Sequence, residues 1–529
     1  MAASIRRFLN TVQGQLFSMA GLFIFLIAVS LTLSPAVELR SWNANFLLAH
    51  WVGVLGWVLS FGGILYFLGK YKINPDPILI PVISLLTGWG LLNIFSISQR
   101  MGLKQTLWLV LGSAALIIGL PHARKVIANL RKYKYLWLIG GIGLTALTLL
   151  LGTNPNGGGP RLWLSLAGVY FQPSEPLKIL LILYLAAYFA DRQPFAKGLL
   201  PLLLPTVIVT GLACLILVFQ RDLGTASILI MIYASMIYAA TGKKRLLVVS
   251  LLGIVLAAII GYFYFDVVQL RFDAWINPWL DPFGGSYQIV QSLIAIASGG
   301  MTGRGPGMGY PDLVPISFSD FIFSAIGEEY GLPGTIGLVI ALALFTFRSI
   351  RIGLKALNRH LRFVAVGIAV FIAAQSILII SGNIRLLPLT GVTLPFLSYG
   401  GSSLLTSLFA VYLLITIDQL GSQPPETTVQ ELPDPAPVIH LSMILTVGFI
   451  AIALINSWWA LWRGPDLLGR TDNARRTISD TIIQRGSILD RSGNLLSYST
   501  GSAGDYTRQY ASPATTHPVG YTHPFYGQV

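Results

Sequence analysis

Chemistry-bearing residues gather most densely between Asn277 and Ser292, where Asp281 stands between Pro278 and Pro282, a short way before Gln288 and Gln291. Asp and Pro both favour turns for local reasons, so Asp281 by itself reads as a turn residue. Similar groups recur elsewhere. Gln172-Pro-Ser174-Glu175-Pro176-Leu-Lys178 opens an apolar run, with Ser174 suited to an N-cap, Pro176 tolerated in the first turn and Glu175 one turn from Lys178. Arg161 and Trp163 lie just upstream, a cation beside an interfacial aromatic. Asp222 starts another apolar run and is explained by helix capping. Between Ser298 and Gly309, Arg304 sits among glycines whose backbone could cradle phosphate. No Gly-Lys-Ser/Thr follows, which excludes a nucleotide P-loop. Ser319-Asp320 leads into Glu328-Glu329, and Leu394 to Ser403 interrupts a late apolar run with Ser398 and other small residues that equally serve close helix packing.

None of the 6 histidines falls in these stretches, and the single cysteine, Cys214, lies inside an apolar run. Ser-His-Asp and Cys-His catalysis therefore lack a base, a His/Cys zinc site lacks ligands, and no disulfide framework exists. Carboxylates and cations remain. That combination suits transfer to a hydroxyl with a phosphate leaving group, in which an Asp accepts the hydroxyl proton. Arg and Lys would stabilise a departing pyrophosphate.

The elements that must position these groups are membrane spans. A chain of 529 residues that is 54% hydrophobic and 11% charged has too few charges to coat a soluble fold. A bilayer needs about 20 apolar residues per helix, and thirteen such runs recur between residues 17 and 462. Basic clusters at Arg124-Lys125 through Lys134, at Lys243 to Arg245 and at Arg348 through Arg362 fall on loops of one parity. The positive-inside rule puts those loops and the N-terminus in the cytoplasm, and assigns the net charge of +14 to them rather than to nucleic acid. Residues 153–174, 266–320 and 385–394 then lie outside. The interval 266–320 holds apolar pieces too short to span, which read as interfacial or re-entrant helices. No signal-peptide cleavage pattern follows the first run.

In family order, the sequence carries Phe171-Gln-Pro-Ser-Glu175, Asp222-Leu-Gly-Thr-Ala226, Asp281-Pro-Phe-Gly, Tyr287-Gln-Ile-Val-Gln-Ser, Asp320-Phe-Ile-Phe, Gly327-Glu-Glu and Leu394-Pro-Phe-Leu-Ser-Tyr-Gly-Gly-Ser-Ser403. With these it resembles the SEDS family, the FtsW/RodA/SpoVE membrane proteins of bacterial wall synthesis. The resemblance implies an all-α polytopic membrane protein of the bacterial cytoplasmic membrane. Its ten-span core would cover residues 76–420, after two extra spans in 1–75 and before a linker at 421–437 and one further span at 438–462. It also implies a peptidoglycan glycosyltransferase that polymerises lipid II at the outer leaflet, with the essential aspartate of the large outer loop falling on Asp281. Arg161, Lys178 and Arg304 become candidate pyrophosphate contacts, Glu175 the residue orienting Lys178, and Gln172, Gln288, Asp320 and Ser398 further substrate-binding candidates. No cofactor motif is present; a divalent ion, Mg or Mn, bridging the phosphates would fit without being required.

The segment 463–529 is a small extracytoplasmic tail. Its Arg485-Gly-Ser-Ile-Leu-Asp490-Arg491-Ser-Gly493-Asn resembles the membrane-proximal start of a class B penicillin-binding protein, the partner of SEDS polymerases. No lysine follows residue 463, so the transpeptidase Ser-x-x-Lys has no place there and the resemblance stops within a truncated pedestal. That partner would be engaged in cis or on another chain. The rival readings are a transporter of the lipid-linked precursor, which predicts midplane charges and inverted repeats, and a non-catalytic scaffold for division or elongation.

Overall fold

In lipid, an apolar run satisfies its backbone only by closing hydrogen bonds within itself, and these runs do so as helices. The computed structural model describes residues 10–155, 157, 159–192, 200–421, 432–470, 472–476, 484–501, 506–520, 522–523 and 527–528. The first helices are α1 (Val12–Glu38), α2 (His50–Lys70), α3 (Leu79–Ile97), α4 (Gln99–Gly119), α5 (Ala123–Lys132) and α6 (Lys134–Leu151). A hairpin of β1 (Leu164–Leu166) and β2 (Val169–Phe171) precedes α7 (Ser174–Arg192), α8 (Leu200–Phe219), α9 (Leu223–Thr241) and α10 (Lys244–Tyr264). Then come α11 (Asp266–Ile276), α12 (Tyr287–Gly299), α13 (Ile322–Lys355), α14 (Arg359–Asn383), α15 (Gly401–Gly421), α16 (Ala436–Ser457) and α17 (Gly464–Leu468). Among the described residues, 12 helices are long and apolar enough to cross a membrane. The thirteenth expected run is α7, 19 residues long and interrupted by Glu175, Lys178, Asp191 and Arg192.

Burial orders these helices around α14, almost all of whose residues are buried, whereas along α10 only Gly261 is buried. The two extra N-terminal helices are part of the body. α1 packs on α3 and α2 on α4; the Trp57 indole donates to the Ser84 carbonyl at 2.7 Å. On the other side α16 packs against α13 and α14, with Asn456 donating to Thr335 at 2.8 Å and Trp459 donating to the Ile384 carbonyl at 2.7 Å.

Loop contacts sort into two faces, as the alternation of basic loops requires. On one, Arg131 and Lys134 pair with Asp191 at 2.7 and 2.5 Å, Arg348 pairs with buried Asp76, and Tyr412 donates to the Gly119 carbonyl. On the other, Arg385 donates to the Trp275 and Ile276 carbonyls, Arg271 to the Thr390 carbonyl, and Gln172 meets Ser402.

Three local details depart from the sequence reading. α15 begins only at Gly401, near the end of the interrupted stretch, because Phe396 takes a φ of +68° and residues 395–397 form a turn. The chain is mostly but not wholly helical: the β1–β2 hairpin turns through Ala167 and Gly168, both at positive φ. The tail adds an antiparallel sheet of β3 (Ile488–Leu489), β4 (Leu495–Thr500) and β5 (Thr507–Tyr510). The expected 266–320 interval does hold two short helices, α11 and α12, and α12 is largely buried. Most of the 421–437 linker lies outside the described residues.

Breaking a buried ion pair from one side strands the other charge. Asp76→Ala should therefore destabilise the detergent-solubilised chain by about 3–5 kcal/mol. Replacing both Asp76 and Arg348 with apolar residues should recover most of that, as read by denaturant unfolding.

Candidate functional site

The site is built at the end of the bundle where 153–174, 266–320 and 385–394 meet. At the start of α7, Lys178 is fully buried. Its ammonium donates to Glu175 Oε1 at 2.8 Å and to Gln375 Oε1 on α14 at 2.7 Å, and lies 5.0 Å from the Phe371 ring centroid. The Gln375 amide then donates to the Thr393 carbonyl at 2.7 Å, and the Thr393 hydroxyl to Ser403 at 2.7 Å. Two helices and the 390–403 segment are thus tied through one side chain. Glu175 Oε2 is buried without a hydrogen-bond partner, a position that invites a donor.

A second branch runs from Gln172, whose amide N–H donates to Ser402 Oγ at 2.9 Å and whose side chain donates to Ser174 at 3.0 Å. Ser174 opens α7 without capping it and instead donates to Asp222 at 3.4 Å. Asp222 does cap α9, accepting from the Thr225 amide at 3.1 Å. A third branch joins Ser398, which accepts from the Leu394 amide at 2.8 Å and donates to the Ser319 carbonyl at 2.6 Å, to Asp320, which accepts from Ser319 Oγ at 2.9 Å. Gln172, Glu175, Lys178, Ser398 and Asp320 therefore belong to one connected polar region, bridged by residues 390–403.

Asp281, Gln288, Arg161 and Arg304 stand apart from it. Asp281 is exposed and its carboxylate is held by its own loop, Oδ1 by the Gly284 amide at 3.0 Å and Oδ2 by the Gly285 amide at 2.6 Å. A Cβ at Gly284 would collide with both oxygens. Among the described residues Asp281 forms no ion pair. Gln288 is half-buried on the first turn of α12. Arg161 is exposed just before β1. Arg304 is exposed, with Nε donating to Ser298 at 2.6 Å. Among the described residues no three His, Cys, Asp or Glu side chains gather as a metal site, so no residue set is assigned to a divalent ion.

Two arginines escaped the sequence reading. Arg271 on α11 donates to the Thr390 carbonyl at 3.2 Å and sits in the field of Asp320 and Asp222. Burial pushes both carboxyls up from their ordinary value, opposed at Asp320 by the Ser319 hydroxyl and Arg271, and at Asp222 by Thr225 and Lys178. Burial pulls the Arg271 guanidinium down, against those same two acids. Arg475, in the tail, is buried against Glu328, with Nε to Oε1 at 2.7 Å and Nη2 to Oε2 at 2.8 Å. Arg271 finds its carbonyl partner 119 residues away, and Arg475 lies 147 residues from Glu328. The only sequence signal was the pair of acids Glu328-Glu329, which need cations wherever they are buried.

A bundle of apolar helices with a polar region at one end defines a polytopic membrane protein. Residues 78–423 match the FTSW_RODA_SPOVE family, described as cell cycle proteins. The chain belongs to that family. The peptidoglycan glycosyltransferase RodA of Mycobacterium tuberculosis is 32% identical over 399 residues, covering 70% of this chain and 84% of that one. The protein named "Probable peptidoglycan glycosyltransferase FtsW" of Geobacter sulfurreducens is 32% identical over 357 residues, covering 65% of this chain and 94% of its own. A solved structure described as structural coordination of polymerization and crosslinking by a peptidoglycan synthase complex matches with a TM-score of 0.54 at 26% identity, over 66% of this chain and 100% of that one.

Because the Asp320 carboxyl is raised by burial, its protonated form is the better one in the folded state. Stability from that source is present below the usual carboxylate range and lost as pH rises through the raised value. Asp320→Asn should flatten the decline in thermal stability that sets in as pH rises above the usual carboxylate range. An unaltered slope in a pH series of unfolding curves would show that Asp320 does not titrate against burial.

Proposed function

We propose that this chain is a peptidoglycan glycosyltransferase that polymerises lipid II at the outer face of the cytoplasmic membrane, with the N-terminus cytoplasmic and the tail extracytoplasmic. The observation that carries this reading is an exposed carboxylate, oriented by two amides, on the same face as a buried polar network, in a chain of the FtsW/RodA/SpoVE family. A carboxylate offers about four lone-pair sites. The loop amides occupy one on each oxygen of Asp281, which fixes its direction and leaves acceptor capacity for a substrate hydroxyl.

In this mechanism Asp281 takes the proton of the GlcNAc 4-hydroxyl of one lipid-linked unit. The freed oxygen forms a bond to the anomeric carbon of the second unit, whose bond to phosphate oxygen breaks. Undecaprenyl pyrophosphate leaves with the bonding pair. Arg161 and Arg304 are exposed and available to its phosphates. Lys178 is enclosed, so it acts by holding Glu175 and, through Gln375, the 390–398 segment in place rather than by touching phosphate. Gln172, Asp320 and Ser398 contribute through the buried polar region, and Gln288 from the first turn of α12, as further substrate-binding residues.

The tail is read as the start of a class B penicillin-binding protein joined in cis. In its Arg-Gly-Ser-Ile-Leu-Asp-Arg stretch, β3 runs into a turn in which Asp490 accepts from the Ser492 amide at 2.8 Å and the Asn494 amide at 2.7 Å, and β4 returns. The bonds from Asn494 and its neighbours hold the Asp490 carboxyl below its ordinary range.

Losing a positioned general base costs on the order of 10²–10⁴-fold. Asp281→Asn should lower glycan-strand formation from lipid II by purified chain by at least about 100-fold while leaving lipid II binding intact. Polymerisation at the wild-type rate would remove Asp281 from the chemistry.

A further inference from the structure

The glycine-rich loop between α12 and α13 is docked on a break in α13. Gly331 leaves helical geometry at φ 63°, and Gly303, at φ +79°, packs so closely on it that neither position admits a Cβ. The Arg304 and Gly305 amides donate to the Glu328 and Glu329 carbonyls at 3.0 and 2.8 Å. The two acidic side chains take further loop amides: Glu329 Oε1 accepts from Gly307 at 3.1 Å, and Glu328 Oε1 accepts from Tyr310 at 3.2 Å.

Both segments that flank the family-matched core converge on Tyr310. Its hydroxyl donates to Glu38 Oε1, at the end of α1, at 2.8 Å. Burial and the Glu38 carboxylate push this phenol up, so it stays a donor. Its carbonyl accepts from Arg475 Nη2 at 3.3 Å. The same guanidinium carries the bidentate pair with Glu328 and donates to Gln291 Oε1 at 3.1 Å. Gln291 in turn donates to the Asp472 carbonyl at 3.0 Å. Arg470, a few residues earlier, lies 4.1 Å from the ring centroid of Trp279. Trp279 and Gln291 flank Asp281 on its two sides in sequence. The tail thus touches both ends of the Asp281 loop, while Glu38 fixes the far end of the structure that follows it.

We infer that Glu38 and Arg475 are positioning residues for glycosyl transfer: they grip Tyr310 at its hydroxyl and its carbonyl, and so couple the N-terminal helix pair and the C-terminal tail to the placement of the Asp281 loop. This rests on the polymerase reading above. The physical reason is that α12 is short and starts six residues after Asp281. Its orientation is set by what holds its far end, and that end is the loop clamped by Glu328, Glu329 and Tyr310. An Arg pairing in two directions with a carboxylate carries geometry as well as charge, which Lys cannot reproduce.

The test uses the purified 529-residue chain with lipid II. Tyr310→Phe and Glu38→Gln keep shape and should fold, so they carry the decision. Each should lower kcat about three- to tenfold with KM within about twofold. The double variant should be no worse than the more severe single one, because Tyr310→Phe removes the donor of the bond and Glu38→Gln only the charge that strengthens it. Arg475→Lys should lose at least as much. Hydrogen exchange at the amides of 304–310 should rise about tenfold in each variant. In a wild-type chain that polymerises lipid II, unchanged kcat and unchanged exchange in Tyr310→Phe and Glu38→Gln would overturn the inference. An inactive wild-type chain would instead sink the polymerase reading, and the exchange result alone would then decide whether the clamp exists.

Discussion

An ammonium sealed from water inside a helical bundle must be paired, and the buried Lys178 is the group on which the site's architecture turns. Its two partners, Glu175 and Gln375, lie on different helices. Gln375 in turn fixes the backbone of Thr393, so the position of the 390–398 segment follows from satisfying one charge. That segment supplies the Thr390 carbonyl for Arg271 and Ser398 for Ser319, which reaches Asp320. Remove the ammonium and Glu175 becomes an unpaired buried carboxylate, and three branches of the polar region lose their common anchor.

Much of this was legible in the chain because lipid leaves few choices. Runs of apolar residues gave helices close to where they were expected, and the alternation of basic loops matched the two faces on which Asp191 pairs with Arg131 and where Gln172 meets Ser402. Pairing of Glu175 with Lys178 and capping by Asp222 were also readable, since both depend on spacing of three residues within one helix. What could not be read were partnerships between distant segments. Arg271 sits on a short helix, and its partner carbonyl is 119 residues away. Nothing in the local sequence of Arg475 points to Glu328, 147 residues earlier. The left-handed backbone inside the break before α15 was not legible either, because Phe396 gives no sign of it in its type.

The two helices before the family-matched region and the segments after it are held by the core through polar bonds as well as apolar packing. Asn456 meets Thr335, Trp459 meets the Ile384 carbonyl, and Glu38 meets Tyr310. Side-chain hydrogen bonds of this kind fix direction in a way that apolar surface alone does not. The lipid-exposed α10 marks the opposite extreme, a span retained by its neighbours in sequence, α9 and α11, rather than by the core.

The central claim is that this chain joins sugars rather than moving or merely binding the lipid that carries them. Purified wild-type chain placed in vesicles with lipid II, and no other protein, tests it most directly, with release of undecaprenyl pyrophosphate and growth of glycan measured together. The account predicts about one pyrophosphate lipid released per glycosidic bond formed, as the displacement requires. Lipid II that crosses to the other leaflet intact, or stays unconsumed beside a folded chain, would contradict it.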